Sequence, residues 1–431
     1  MFLQILGYVI LAVFITLVLW RKLSPMTALI IVPLVFGLVG GFGIETFNFA
    51  AKGVADVVNV FTLLGFAILY FGIMLKAGLF DPLSKLIVRW AKGDPLKVLI
   101  GAAILVMLVS LDGDGTTTFM ICCATLIPVF NKLGIPKKYL AAILILGNGA
   151  INLVPWGGPT ARIMSVLNTD TWDLFMVLIP NIIGGVLLLF GVGIFWGLKE
   201  RRRLGISTVL IETSNIDIPE EERALRRPKL VWVNLFLTLA IMASMALDVP
   251  APIAFALGTC LALVINYPKL KDSAKVMELN AAPVMNVVFM VIGAGVLMGV
   301  LNYSGMADAI AGGLSSVVPA SMSSFFGYII GLISAPGLFM LNNDAFYYGV
   351  LPLLAKTAYT YGFTPMQVGV ASLMGQSWRA LSPVIPSLYL MINILELDFN
   401  EYQKTILPIV IINFVVFALT CLVAGTVPIL P

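Results

Sequence analysis

Short polar clusters interrupt otherwise apolar segments of this chain twice, and the second set follows the first by about 228 residues. The first set comprises residues 110–118, 147–148 and 152–162, and the second comprises residues 341–344, 375–379 and 382–383. In hydrocarbon, irregular backbone persists only where protein or an aqueous cavity satisfies its polar groups, so the interruptions predict a cavity. Broken helices at matching places in two halves are typical of the ligand site of secondary transporters.

The composition indicates an integral membrane protein. Of its 431 residues, 60% are hydrophobic and 11% are charged, and the mean hydropathy of +1.03 exceeds what a water-soluble core can bury. The first apolar run, residues 2–20, is followed rather than preceded by its cations and lacks a small-residue cleavage site, so we interpret it as a retained span. The four cysteines lack metal-ligand spacing, and histidine is absent, so a transported proton needs a carboxylate.

The distribution of cations predicts the topology. Apolar runs long enough to span occur near residues 2–20, 24–42, 56–75, 174–197, 230–248, 251–267, 284–301 and 404–428. Cation-rich connections are expected in the cytoplasm, whereas those near 43–55, 163–173, 302–320 and 357–364 hold one lysine and are expected outside. Residues 97–131 have basic flanks on both sides and predict a re-entrant hairpin from the cytoplasm. Residues 321–356 predict a second hairpin from outside.

Glycines, aspartates and prolines recur in register between the two halves. Gly72, Gly78 and Asp81 recur at a spacing of 227 as Gly299, Gly305 and Asp308, and Gly134, Gly147 and Pro155 recur at 228 as Gly362, Gly375 and Pro383. We therefore predict an all-α polytopic membrane protein with two repeats of inverted topology, residues 1–198 and 230–431, joined by a cytoplasmic linker, residues 199–229. Each repeat has a re-entrant hairpin and a broken transmembrane helix. Residues 81–92 and 306–318 are expected to form interfacial helices.

Five ionisable residues fall at predicted membrane depth, namely Asp112, Asp114, Arg162, Asp344 and Arg379. Each costs about 2.5 to 3.5 kcal/mol at a helix centre, so a common site explains them better than chance. The alternatives are turn caps for the aspartates, snorkelling or a structural ion pair for the arginines, and interhelical hydrogen bonds for the amides. Guanidinium groups match carboxylates, and carboxylate oxygens suit divalent cations, so the ligand carries both signs of charge. A metal-complexed polycarboxylate fits that description.

Two sets of candidate residues follow. The predicted substrate-binding residues are Thr116, Thr117, Asn152, Gly157, Gly158, Thr160, Arg162, Asn342, Asn343, Gln376, Ser377, Arg379 and Ser382. The predicted metal or proton sites are Asp112, Asp114, Asp344 and Asn148. The neighbouring carboxylates of Asp112 and Asp114 are candidates for sharing a coupling proton.

The segments GDGTTTFMI, NLVPWGGPTAR, ISAPGLFMLNNDAFYYGVLP and GQSWRALSP resemble the citrate-metal:proton symporter family (CitMHS) of the ion-transporter superfamily, and the similarity extends from Ile30 over nearly the whole chain. The resemblance implies proton-driven uptake of citrate complexed with Mg, Ca or a transition metal, across a bacterial plasma membrane, by a protein that is not an enzyme and has no resident cofactor. It also implies a fold like that of sodium-coupled dicarboxylate carriers, whose Ser-Asn-Thr hairpin tips build sodium sites. Here the first tip is acidic.

Two other classes of function stay open at this point. One is a sodium-coupled di- or tricarboxylate carrier, or another ion transporter of the same superfamily. The other is a membrane enzyme or receptor, although the chain has no His-containing metalloprotease motif, phosphate loop or nucleophile elbow. The expected partners are the citrate-metal complex, protons and the lipid bilayer, without nucleic acid; a homodimer is left open.

Overall fold

A computed structural model describes residues 1–91, 93–113, 115–206, 224–247, 249–315, 323–383 and 385–429. Regular secondary structure within these ranges is helical. By length and composition, seven of the described helices could cross a membrane, or eight if a bent pair at residues 365–381 and 386–395 is one span. The prediction of an all-α polytopic membrane protein is confirmed.

The first half of the chain contributes ten α-helices to the described structure. They are α1 (Phe2–Leu19), α2 (Pro25–Gly37), α3 (Glu45–Asp56), α4 (Val58–Ala77), α5 (Asp81–Ala91), α6 (Pro95–Val109), α7 (Gly115–Leu133), α8 (Lys137–Ile151), α9 (Gly158–Leu167) and α10 (Thr171–Leu204). A π-helical turn, Leu38–Phe42, follows α2, and a 3-10 turn, Ser110–Asp112, follows α6. Helices α6 and α7 are the arms of the first predicted hairpin.

The second half follows the same order. Its α-helices are α11 (Val231–Ala246), α12 (Ala251–Asn266), α13 (Leu270–Tyr303), α14 (Met306–Ser315), α15 (Phe326–Met340), α16 (Leu351–Thr360), α17 (Pro365–Leu373), α18 (Pro386–Leu395) and α19 (Phe399–Ala424). A 3-10 turn, Pro228–Leu230, precedes α11, a π-helical turn, Ala345–Val350, precedes α16, and a 3-10 segment, Met374–Leu381, continues α17. The second hairpin consists of α15, the π-helical turn and α16.

Helix boundaries in the two halves keep the spacing seen in the sequence. Helices α8, α9 and α10 begin at Lys137, Gly158 and Thr171, and α17, α18 and α19 begin 228 residues later at Pro365, Pro386 and Phe399. The predicted interfacial helices correspond to α5 and α14. Residue 92 at the end of the first, and residues 316–318 at the end of the second, lie outside the described residues.

The local signals that start these helices also match. Asp170 caps α10 by accepting from the backbone N–H groups of Trp172 and Asp173, and Asp398 caps α19 in the same way. The residue two positions before each cap adopts a left-handed backbone conformation, with φ of 49° at Asn168 and 56° at Glu396. The repeat is therefore present in the backbone conformation as well as in the residue types.

Corresponding helices α4 and α13 pack antiparallel through small residues. Gly53, in the last turn of α3, lies against the backbone of Gly295 and Gly299 near the end of α13, whereas Gly65 and Gly72 of α4 lie against Val288 and Asn280. Glycine permits this approach because a Cβ at Gly53 would overlap the Gly295 carbonyl oxygen. These two helices, which correspond by the 227-residue spacing, are therefore antiparallel neighbours.

The first hairpin opens beside the last turn of α10. Arg201 Nε lies 3.7 Å from Oδ1 of Asp94, the residue that caps α6. Arg203 donates from Nη2 to the carbonyl oxygen of Gly134, directly after α7, at 2.8 Å. Lys138 Nζ also meets Glu401 Oε1 at 3.0 Å, which brings the start of α19 to the same end of the bundle.

The second hairpin opens at the other end of α19. The rings of Phe326, which begins α15, and Tyr361, which follows α16, meet edge to face with centroids 5.2 Å apart. Tyr328 donates its hydroxyl to the carbonyl oxygen of Val427, beyond the end of α19, at 3.0 Å. With 26 residues, α19 is about 39 Å long, so the hairpins enter the bundle from opposite ends.

Some boundaries differ from the sequence analysis. The predicted linker begins at 199, but α10 continues to Leu204 through three arginines. A further cation-rich connection, with lysines at positions 269, 271 and 275, falls almost entirely within the 34-residue helix α13, and the connection 43–55 contains α3. Lysine and arginine are good helix formers, so a span continues into water until a glycine such as Gly205 ends it. Linker residues 207–223 lie outside the described residues.

Candidate functional site

One cavity of about 410 Å³ is lined by residues from all four polar interruptions. The first hairpin tip contributes Gly113 and Thr116, and the second tip contributes Asn343. The breaks contribute further lining residues, which include Asn148, Asn152, Gly158, Arg162, Gln376, Ser377 and Arg379. Segments from both halves of the chain therefore share a single polar space inside the helical bundle.

The first tip is a tight turn held against the first break. Gly113 adopts φ of 77°, a left-handed conformation that glycine tolerates without strain. A Cβ at this position would lie 3.1 Å from the carbonyl oxygen of Trp156. Trp156 in turn donates its indole N–H to the carbonyl oxygen of Leu111 at 2.7 Å. The close contact keeps the tip backbone next to the broken helix.

The first break between α8 and α9 is stabilised by its own side chains. Asn152 Oδ1 accepts from the Gly158 backbone N–H at 3.1 Å. The Thr160 hydroxyl is fully buried and donates to the carbonyl oxygen of Val154 at 2.6 Å. A Cβ at Gly157 would overlap the Asn152 carbonyl oxygen. Thr160 and Gly157, which the sequence proposed as substrate-binding residues, thus shape the break and do not line the cavity.

Arg162 on α9 forms an ion pair with Asp344 of the second tip. Its Nε and Nη2 lie 2.7 and 2.6 Å from the same carboxylate oxygen, Asp344 Oδ1. Its Nη1 donates to the carbonyl oxygen of Gly158 at 2.7 Å. The side chains of Arg162 and Asp344 are 20% and 13% exposed, so water screens the pair little. The pair joins the first break to the second tip across the two halves.

The second break is a 3-10 segment instead of an open loop. In a 3-10 helix, residues three apart lie on the same face, so Gln376 and Arg379 project to the same side, into the cavity. The backbone N–H of Gly375 donates to Ser334 Oγ of the hairpin arm α15 at 2.9 Å. Gln376 Nε2 donates to the Tyr347 hydroxyl at 2.7 Å, which connects this segment to the second hairpin.

At the interruptions, Asn343 and Ser377 each line the cavity and have a buried polar atom that meets no hydrogen-bond partner among the described residues. The atoms are Oδ1 of Asn343 and Oγ of Ser377. Buried polar atoms in native proteins nearly always have a partner, either in the protein or in bound water or ligand. These two atoms therefore mark the cavity wall as a surface made to contact something polar.

Not every predicted site residue reaches the cavity. Asn342 accepts from the Ala345 backbone N–H at 2.8 Å, as a helix cap, and lines a separate pocket with Arg21 and Lys22. Thr117, Ser382 and Asp344 do not line the cavity, although Asp344 forms an ion pair with Arg162, which does. The side chain of Asp112 and all of Asp114 lie outside the described residues. Among the residues that are described, no three His, Cys, Asp or Glu side chains cluster as metal ligands.

Two lining asparagines were not predicted. Asn181 of α10 and Asn413 of α19 line the cavity, and each lies within six residues after a proline in an apolar span, Pro180 or Pro408. Pro180 and Pro408 keep the 228-residue spacing. An amide beside a proline inside a long apolar helix was the sequence signal available for them.

Comparison with known proteins gives a consistent identification. The sequence profile of the citrate transporter family, CitMHS, matches residues 14–375. The chain is 42% identical over 426 residues to the citrate transporter of Bacillus subtilis (strain 168), covering 99% of both chains. It is 37% identical over 431 residues to the Mg(2+)/citrate complex secondary transporter of the same organism, again covering 99% of both.

The fold also matches a solved transporter structure. The crystal structure of the Alcanivorax borkumensis YdaH transporter superposes with a TM-score of 0.63 at 16% identity, covering 91% of each chain. The family and its curated members are transporters rather than enzymes, as the sequence predicted. Together with the apolar helices, they indicate a multi-pass protein of the plasma membrane. The chain belongs to the citrate transporter family, CitMHS.

Proposed function

We propose that this protein is a secondary transporter that takes up citrate as a complex with a divalent metal ion, coupled to protons, by alternating access. The observation that carries the proposal is the convergence of both hairpin tips and both broken helices, from two halves of the chain, on one polar cavity. The names of two relatives, a citrate transporter and a Mg(2+)/citrate complex secondary transporter, support the choice of cargo.

The lining suits an anion that carries a metal ion. Arg379 and Arg162 are the charged side chains among the lining residues of the described chain. A guanidinium binds a carboxylate through two parallel hydrogen bonds, so Arg379 is assigned to a citrate carboxylate. Asn343 Oδ1 and Ser377 Oγ offer oxygen atoms to the metal or to its bound water. Asp112 and Asp114 are proposed as further oxygen ligands of the metal or as proton carriers.

The ion pair between Arg162 and Asp344 suggests how protons couple to substrate. While Asp344 is ionised, it occupies the guanidinium edge formed by Nε and Nη2 of Arg162. Protonation of Asp344 removes the charge that holds this edge and makes it available to a citrate carboxylate. A proton and the substrate then bind together, which is the requirement for symport. In the absence of histidine, a carboxylate must fulfil this role.

Alternating access is inferred from the arrangement of the hairpins. They open at opposite ends of α19, and their tips contact the same broken helix, one through Trp156 and the other through Arg162. Opening either hairpin would connect the cavity to one side of the membrane only. By the positive-inside rule, the cations of the linker predict that the end of the bundle where the first hairpin opens faces the cytoplasm. Inverted topology of residues 1–198 and 230–431 is part of this proposal, and the antiparallel packing of α4 and α13 supports it.

The test is uptake of radiolabelled citrate into proteoliposomes of the purified protein. Separate assays contain Mg, Ca, Ni, Zn or the chelator EDTA, with an imposed pH gradient or sodium gradient. We expect accumulation that requires a divalent metal and a pH gradient and is indifferent to sodium. Metal-independent uptake would contradict transport of a complex, and uptake that follows only the sodium gradient would favour a sodium-coupled carrier. No citrate uptake under any condition would exclude the proposed function.

A further inference from the structure

Asn181 has a buried oxygen atom for which the described part of the chain provides no hydrogen-bond partner. The residue is 3% exposed and lies on α10 among the residues that line the cavity. Its Oδ1 meets no donor among the described residues. A buried amide oxygen without a partner is unusual enough in native proteins to require an explanation.

The identity of the free atom follows from the partners of the other end of the amide. Asn181 Nδ2 lies 3.1 Å from the carbonyl oxygen of Phe417, which can only accept a hydrogen bond. It also lies 2.6 Å from Thr420 Oγ1 on the same helix. Rotating the amide by 180° would place two acceptors together at Phe417, so the orientation is determined. The atom left for a ligand is therefore an acceptor, and a ligand must bring a donor to it.

Asn181 lies level with the first broken helix. Helices α8 and α10 run antiparallel, since the rings of Tyr139 and Trp196 stack with centroids 4.5 Å apart and Gly185 packs against Ala150. One turn before Gly185, Asn181 is opposite the residues that follow Ile151, where the break begins. Asn181 is thus level with the break that carries Asn152, and the two residues line the same cavity.

Asn413 supplies a second amide to this part of the cavity. It precedes Phe417 by one helical turn on α19, and both residues line the cavity. Its side chain makes no hydrogen bond to the described part of the chain, and the lining residues that precede it on α19, Ile406, Ile409 and Val410, are apolar. Two uncharged amides in an apolar wall form a small polar patch, and the charged lining residues of the described chain, Arg162 and Arg379, belong to the interrupted helices.

We propose that Asn181 and Asn413 form a hydroxyl-recognition subsite, which selects hydroxylated polycarboxylates over polycarboxylates without a hydroxyl group. The inference rests on the proposed function, because it concerns the cargo of the same cavity. A hydroxyl group donates one hydrogen bond and accepts others, so it can donate to Asn181 Oδ1 and accept from the Asn413 amide. A carboxylate only accepts and leaves the Asn181 oxygen unsatisfied. A metal ion without bound carboxylates would find no negatively charged oxygen at these two asparagines.

The experiment measures competition against uptake of labelled Mg-citrate in proteoliposomes. The competitors are unlabelled citrate and tricarballylate, which is citrate without its hydroxyl group, at a fixed concentration of free Mg. Selectivity is the ratio of the two half-inhibitory concentrations. The hydroxyl also affects Mg chelation, but that contribution is common to all variants and cancels when each ratio is compared with the wild-type ratio.

We expect the wild-type protein to prefer citrate, and Asn413→Leu to reduce that preference about three- to tenfold, the value of one or two hydrogen bonds. Asn181→Leu should reduce it similarly but also removes the contact to α19. Thr420→Val is the control for packing, because it removes the 2.6 Å hydrogen bond from Asn181 to α19 and keeps the Asn181 oxygen. It should retain the wild-type ratio.

Each result decides the inference separately from the transport function. The subsite would be overturned if the wild-type protein itself had a ratio near one. It would also be overturned if Asn413→Leu and Asn181→Leu both kept the ratio of the wild-type protein, which would leave water as the partner of Asn181. Loss of selectivity in Thr420→Val to the same extent would show a packing effect and would also overturn it. Absence of citrate uptake by the wild-type protein would instead contradict the proposed function. Size-exclusion profiles identify any variant that fails to fold. If Asn181→Leu fails to fold, Asn413→Leu still tests the subsite, because Asn413 is only half-buried.

Discussion

Gly147 is a position where one added methyl group should separate a hairpin arm from the broken helix behind it. A Cβ on this residue of α8 would overlap Cγ1 of Val106 on α6, and would lie 3.3 Å from the Cβ and Cγ2 atoms of the same valine. The valine side chain is branched at Cβ and has one strongly preferred rotamer in a helix, so it cannot rotate away. The two helices would have to move apart by about 1 Å to reach ordinary contact distance, beyond 3.4 Å.

The expected magnitude combines two opposing terms. Glycine to alanine in a helix interior gains about 1 kcal/mol of helix propensity. Overpacking a well-filled contact costs about 1 to 3 kcal/mol. Gly149, on the same helix, has open space around the added Cβ, so Gly149→Ala should gain the first term alone. We therefore expect Gly147→Ala to be less stable than Gly149→Ala by about 1 to 3 kcal/mol.

The assay is thermal unfolding of both variants and the wild-type protein in one detergent, together with initial citrate uptake by Gly147→Ala. We expect the midpoints to rank Gly149→Ala above Gly147→Ala, and uptake by Gly147→Ala to fall because the first tip is displaced from the cavity. Adding Val106→Ala to Gly147→Ala should restore much of both losses, since the smaller residue makes room for the methyl group. If Gly147→Ala unfolds at or above the midpoint of Gly149→Ala, the steric reasoning is wrong.

Three further predictions concern the ion pair, the substrate and the topology. Arg379→Lys should raise the half-saturation concentration for Mg-citrate about tenfold by losing the bidentate fork; an unchanged value would remove Arg379 from the site. Asp344→Asn should lose about 3 kcal/mol of stability, because Arg162 is left buried without its partner, and should exchange citrate without accumulating it along a pH gradient; wild-type accumulation would exclude Asp344 from coupling. In a cysteine-free background, an impermeant reagent applied to intact cells should label Asn302→Cys and spare Gly205→Cys, and the reverse pattern would contradict the proposed topology.

The helical class, the hairpins and their tips could be predicted from sequence because their signals are local. A cluster such as Gly113 and its neighbours cannot continue a helix in hydrocarbon, and the structure places a left-handed glycine there. That the four interruptions meet at one cavity could be predicted only from their matching places in the two halves of the chain. Helix ends were harder to predict, since charged residues such as Arg201 continue α10 beyond the apolar run that defined it.

Side-chain pairing in the site could not be predicted, because it depends on contacts between residues far apart in the chain. Arg162 and Asp344 are separated by 182 positions, and nothing in either segment specifies that one carboxylate oxygen receives two guanidinium nitrogens. The sequence analysis left open both a structural ion pair and a ligand role for Arg162, and the geometry gives it an ion pair. Thr160 was proposed to bind substrate from its place in a motif, but its hydroxyl is used by the break backbone.

The matched start signals of α10 and α19 separate two kinds of information in the chain. Asp170 and Asp398 begin their helices through matching capping contacts, and these helices point in opposite directions in the bundle, because each ends at the opening of the hairpin in its own half. A cap side chain contacts only the backbone N–H groups of the first helical turn, so it does not determine which side of a bilayer the helix starts on. In membrane proteins, orientation depends instead on how lysine and arginine are distributed between the connections. The same capping residues can therefore start a helix that crosses the membrane in either direction, and substitutions of cations in the connections are what we expect to change the orientation of a half.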